Sequence, residues 1–194
     1  MSDVINLDNL DDLLNDTNLE KVTADGAGFS ELTPGYYLCE VEKAELTTNS
    51  KNLPMAKFTL KVLADGLYEQ TDENGNIVED ENGAPIILVA EGTKDRKIFK
   101  NFTLSDSDKV KRFVSDMLKF EDPAEPGKSC FDRAMFKSTE SITQVLEASK
   151  TLTIFVKGTA GTPSKEYPEP SNFYSFVKWD TVNELGLLDL INFE

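Results

Sequence analysis

Residues 96–120, RKIFKNFTLSDSDKVKRFVSDMLKF, change their apolar period midway. Through residue 104, Ile98 and Phe102 fall on one side and Lys97, Phe99 and Asn101 on the other, the period of two expected of a strand with one buried face. Ser105-Asp106 then offers a helix N-cap, and Val110, Phe113, Val114, Met117 and Leu118 recur at helical spacing. A strand running straight into a helix is therefore predicted. Upstream, Tyr37, Cys39 and Val41 alternate with Leu38, Glu40 and Glu42 after Pro34-Gly35, and Phe58, Leu60 and Val62 alternate with Lys57, Thr59 and Lys61 before Asp65-Gly66. Downstream, 121–137 reads as irregular, SITQVLEASK (141–150) as a short helix, and TLTIFVKG and NFYSFVKWD as two more strands. Five short strands with a helix between the third and fourth is the element order of an OB-fold, a partly open five-stranded Greek-key barrel in the mainly-β class. A doubly wound sheet needs helices after most strands, and an immunoglobulin-like sandwich needs about seven strands with no helix at that point.

The flanks differ in texture. Residues 1–29 read as an acidic amphipathic segment, with Val4, Ile5, Leu7, Leu10 and Leu14 on one side of a helix over 3–20, followed by a small-residue linker at 23–29. Residues 30–180 hold the predicted barrel. Within them 67–92 reads as an inserted polar hairpin or loop, because the tetrapeptide DENG occurs at Asp72–Gly75 and again at Asp80–Gly83, and Asn-Gly favours tight turns. Residues 181–194 form an acidic and apolar C-terminal tail or helix.

The 194 residues include no histidine, which removes Ser-His-Asp and Cys-His nucleophile systems and imidazole-based zinc sites. Cys39 and Cys130 lack C-x-x-C spacing and read as small buried hydrophobes in a reducing compartment. No basic leader and no run of about 18 apolar residues occurs, so a soluble cytoplasmic protein without membrane contact is expected. The Asp72 and Asp80 repeats do not match EF-hand ligand spacing, and Gly158–Gly161 lacks the P-loop pattern. No catalytic residue, metal or cofactor is assigned, and binding is the leading class. Net charge is −15, yet residues 1–92 hold 5 Lys and Arg against 19 Asp and Glu, whereas 93–157 hold 13 against 10. A local basic stripe is compatible with the acidic whole.

LTPGYYLCEVEKAELTT, KFTLKVLADG, RKIFKNFTL with its helix, and TLTIFVKG…YPEPSNFYSFVKW together resemble a phage-encoded family of OB-fold proteins, long described as a domain of unknown function. Pro34-Gly35-Tyr36-Tyr37, Arg96-Lys97-Ile98-Phe99 and Asn172 stand at the positions that carry the likeness, over roughly residues 30–180. The resemblance implies a single-stranded-DNA-binding protein of a replication or recombination module, working in the host cytoplasm. The 67–92 insertion and the acidic N-terminal segment depart from the family pattern.

A sequence-tolerant single-strand binder needs cations along the backbone and rings on which bases stack. Strand parity assigns Lys57, Thr59 and Lys61, then Lys97, Phe99, Asn101 and Thr103, then Thr153, Phe155 and Lys157 to the outer face. The expected nucleic-acid-binding set is Lys57, Lys61, Arg96, Lys97, Phe99, Lys100, Phe155 and Lys157, with Tyr167, Tyr174 and Lys178 as loop and edge candidates. Against it stands the plainer expectation that outward phenylalanines are covered by the protein's own segments and that lysines merely guard strand edges.

The C-terminal end, VNELGLLDLINFE, resembles in character the acidic, Phe-bearing tails of bacterial single-strand binders, making Asp189, Leu190, Ile191 and Phe193 candidates for recruiting replication or recombination proteins. Asn192 before and Glu194 after Phe193 depart from that pattern. Two other readings of this end are a helix packing Leu187, Leu188 and Ile191 on the barrel, and an acidic tail occupying the DNA groove. The competing function for the whole chain is an acidic protein-interaction module, a DNA mimic or inhibitor of a host nucleic-acid-binding protein. Homo-oligomerisation and a preference between DNA and RNA are left open.

Overall fold

A computed structural model describes residues 31–122, 125–163 and 171–191, and the short strands β1 (Val22–Thr23) and β2 (Gly26–Ala27), which pair antiparallel and overlap the 23–29 stretch expected to be a linker. The expected helix over 3–20, Tyr167 and Phe193 lie outside the described residues. The chain divides into two compact units, Met1–Glu31 and Leu32–Glu194.

The second unit is mainly β. Its strands are β3 (Gly35–Thr48), β4 (Pro54–Val62), β5 (Gly66–Glu69), β6 (Ile87–Ala90), β7 (Lys97–Thr103), β8 (Glu121–Asp122), β9 (Glu125–Ser129), β10 (Thr153–Thr159) and β11 (Phe173–Val177). Its helices are α1 (Ser107–Met117), α2 (Thr139–Ser149) and α3 (Trp179–Glu184). The main antiparallel sheet runs β11-β10-β3-β4-β7, and β5 joins β3 and carries β6. β3 is long enough to serve β10 and β4 in turn, residues 35–40 pairing with β10 and residues 39–48 with β4, while Tyr36 also pairs with Leu67 of β5. A bulge between Val41 and Lys43 re-aims the strand between these two roles.

Parity explains the core. On β4, Ala56, Phe58, Leu60 and Val62 are buried and alternate with partly exposed neighbours. They meet Tyr37, Cys39 and Val41 of β3, Ile98 of β7, Ile154 and Val156 of β10, Phe176 of β11 and the apolar stripe of α1. Rings close this space edge to face, Phe58 on Phe176 at 5.6 Å, Phe102 on Phe113 at 5.4 Å and Phe120 on Phe176 at 5.2 Å. α1 begins where its N-cap was expected, the Asp106 carboxylate accepting the Lys109 amide at 3.0 Å. The Lys109 ammonium and that amide bond lower the Asp106 pKa to about 2.

The 67–92 expectation of a polar hairpin or loop matches a ribbon. β5 and β6 pair, and beyond them Thr71 bridges Ile77 and Glu79 bridges Pro85. Each DENG copy folds alike: Asp72 Oδ1 accepts the amides of Asn74 and Asn76, and Asp80 Oδ1 those of Asn82 and Ala84. Gly75 and Gly83 both take positive φ there. The stretch 121–137, read as irregular, contains the β8–β9 hairpin and a 3-10 turn at Arg133–Met135.

The outer sheet face is not uniform. Tyr36, Leu38, Leu67 and Phe155 are buried in a second apolar cluster beneath Val182 and Leu187, with Leu188 and Ile191 packed against it. The segment after β11, α3 and the 3-10 turn Leu188–Leu190, thus caps the outer side of β10 and the first half of β3. This agrees with the reading in which Leu187, Leu188 and Ile191 pack on the sheet. Both faces of β3 are therefore buried over 36–39, where one exposed face was expected.

Candidate functional site

The other half of the outer face, on β4 and β7, is open. Cross-strand register arranges it in rows: Glu45, Lys57 and Asn101; Lys43, Thr59 and Phe99; Glu40, Lys61 and Lys97. Phe99 stands in the middle row and is 60% exposed. Its neighbour across the strand pair is the short Thr59, which leaves the ring face uncovered. The exposed ring is thus open to contact from solvent, with ammonium and carboxylate side chains around it.

The lysines of this face are held by carboxylates. Lys61 Nζ lies 2.8 Å from Asp95, Lys97 Nζ 2.8 Å from Glu42 and Lys43 Nζ 2.8 Å from Glu45. Asp95 raises the Lys61 pKa, and the Lys43 ammonium lowers that of Glu45, with Lys57 and Lys150 adding to it. Asp95 sits at φ +66°, a conformation that Asp and Asn tolerate better than most residues. Lys57 enters no ion pair among the described residues. These exposed pairs are weak and exchangeable, so the ammonium groups remain accessible to a competing anion.

Not every expected site residue belongs here. Phe155 is 1% exposed and packs on Trp179, ring centroids 4.8 Å apart, so its expected outward stacking role is overturned by the C-terminal segment above it. Lys100 is corrected likewise. Its position between Ile98 and Phe102 turns it toward the core, its side chain is only 12% exposed, and Nζ donates to the Tyr174 carbonyl at 2.6 Å. It lies over Phe102 at 4.3 Å and 3.6 Å from Asp116, and burial lowers its pKa. Tyr174 is half-buried against the core and meets Gly158, so it offers no edge ring.

Lys157 keeps its outward position beside the second cluster, its ammonium 4.9 Å from the Tyr36 ring centroid; a hydrogen bond to Tyr36 raises its pKa. Arg96 is half-buried at the entry to β7, its carbonyl accepting the Val62 amide. Lys178 is exposed and occupies the N-cap of α3. Of the tail candidates, Asp189 and Leu190 are exposed while Ile191 packs inward.

Two residues escaped the sequence reading. Lys43 is outward because the bulge gives β3 two successive outward positions, Glu42 and Lys43, which simple alternation cannot foretell. Phe173 is 69% exposed on β11, and there the signal existed: an inward Phe176 makes Phe173 and Ser175 outward.

Among the described residues no cluster of acidic or cysteine side chains is arranged to hold a metal ion, and no helix is long and apolar enough to cross a membrane. Compared with known protein families and with curated proteins, the chain matches none.

Proposed function

We propose that this protein binds single-stranded DNA without sequence preference, as a non-catalytic component of a phage replication or recombination module. The observation that carries the reading is Phe99, a largely exposed ring on an open sheet face with Lys57, Lys61 and Lys97 in the adjoining rows. Rings supply stacking for any base and ammonium groups follow the phosphates, so affinity needs no base-edge readout. The strand order supports an OB-type barrel, since β3, β4, β7, β10 and β11 make one path in which β3 lies between β10 and β4, and α1 and α2 lie between β7 and β10 in the chain. In such barrels the second and third strands, here β4 and β7, form the ligand face. The family resemblance over 30–180 points the same way.

The test is a titration of fluorescently labelled oligothymidine with the full-length protein at low and at moderate salt. Saturable binding that weakens with salt and with Phe99→Ala is expected. Absence of binding at low salt overturns the proposal.

A further inference from the structure

β7 and β11 are the two ends of the five-strand path, and no ladder joins them among the described residues. Inward side chains span the seam instead: Lys100 Nζ reaches the Tyr174 carbonyl at 2.6 Å, and the Phe102 and Phe176 rings are 5.9 Å apart. These contacts bring 100 near 174 and 102 near 176, and the chain just past α1 reaches the same place, Lys119 Nζ donating to the Phe176 carbonyl at 2.9 Å. One residue earlier on each strand, side chains must point outward. Those residues are Phe99 and Phe173, 60% and 69% exposed. Two residues further along, the outward positions are Asn101 and Ser175, both exposed. The lips of the seam therefore carry the same pattern twice, a free ring followed by a short hydrogen-bonding side chain, in Phe99-Lys100-Asn101 and Phe173-Tyr174-Ser175.

Neither ring stabilises the fold by burial, and the buried rings of the core have their partners within it. Two exposed flat apolar groups on the two end strands, with polar groups beside them and Lys97 and Lys157 on the flanking outward positions, fit flat ligands carried on an anionic backbone. We propose that Phe173 is a second stacking residue and that a single DNA strand crosses the β7–β11 seam with one base on Phe99 and another on Phe173. This rests on single-strand binding at the β4–β7 face and extends that site to β11.

The experiment uses labelled oligothymidine and the full-length protein in wild-type, Phe99→Ala, Phe173→Ala and Phe173→Trp forms. Phe173→Ala is expected to weaken binding about tenfold, as loss of one stacked base does, with the melting temperature unchanged. Phe173→Trp is expected to retain affinity, and its added indole fluorescence, measured above the Trp179 background, to be quenched by the oligonucleotide. If Phe99→Ala weakens binding while Phe173→Ala does not, or if the indole at 173 is not quenched, the crossing is overturned and the β4–β7 reading stands. If the wild type fails to bind, both fall.

Discussion

The phenyl ring at position 155 lies under Val182 and Leu187 with Trp179 edge-on, whereas the ring at 99 has only Thr59 across from it. Truncating the first removes buried apolar contacts and leaves a cavity; truncating the second removes almost nothing from the fold. Phe155→Ala is therefore expected to cost about 3–5 kcal/mol of stability, while Phe99→Ala stays within about 0.5 kcal/mol and loses oligothymidine affinity. Denaturant unfolding alongside the titration separates the two. The carboxylates of the open face give a prediction of opposite sign. Asp95 and Glu42 occupy the ammonium groups that phosphates would use, so Asp95→Asn and Glu42→Gln should each strengthen DNA binding severalfold at low salt. Asn is chosen at 95 because it, too, tolerates the positive φ there. Unchanged or weaker binding in both variants would show that Lys61 and Lys97 do not meet the strand.

At the scale of elements, two contacts fix how short pieces dock on the main sheet. Gly66 opens β5 against Tyr37, and any Cβ there would be driven into the Tyr37 ring, itself fully buried. The phenol donates to the Thr33 carbonyl, and burial pushes its pKa up to about 12, so the ring cannot swing away without losing that bond. Gly66→Ala should thus destabilise by about 1–3 kcal/mol, read as a lower denaturation midpoint.

At the start of α3 the Glu121 carboxyl accepts amides of Trp179 and Asp180, while its Oε2 is buried without a partner. Burial, and then the Asp180 charge, raise its pKa despite the opposing Lys178. A raised folded-state pKa means stability is full below the unfolded value and declines as pH rises through the folded one. Glu121→Gln is expected to remove that decline, giving a flatter and higher stability profile above the ordinary carboxylate range; an unchanged profile would place the charge in water.

These element contacts also mark what could be read from the chain. Periods of two and the Asp106 cap are visible locally, and β4, β7 and α1 follow them. Phe155 defeats the local reading because its cover arrives from residues 179–191, a long-range contact that no period carries. Lys100 defeats it for another reason: Ile98 and Phe102 already imply an inward side chain, but its charge suggests the surface.

For the molecule as a whole, the charge of −15 and the open lysine-bearing face make opposed demands on an anionic ligand. Three acids of residues 1–92, Glu40, Glu42 and Glu45, stand on this face beside its lysines, whereas surface charges more than a Debye length away, about 8–10 Å, are largely screened at ordinary salt. Local cations should then govern the salt dependence, with the global charge lowering affinity mainly at low ionic strength. If Lys57, Lys61, Lys97 and Lys157 each displace one condensed counterion, the logarithm of the binding constant should fall against the logarithm of salt with a slope of about −3, from roughly 0.7 per phosphate on a single strand. Lys57→Ala should make that slope shallower by about 0.7, because one phosphate contact is lost. Phe99→Ala should lower the line without tilting it, since stacking releases no counterions. A slope near zero in the wild type, together with binding to a basic protein, would instead assign the acidic half as the contact surface and retire the single-strand reading.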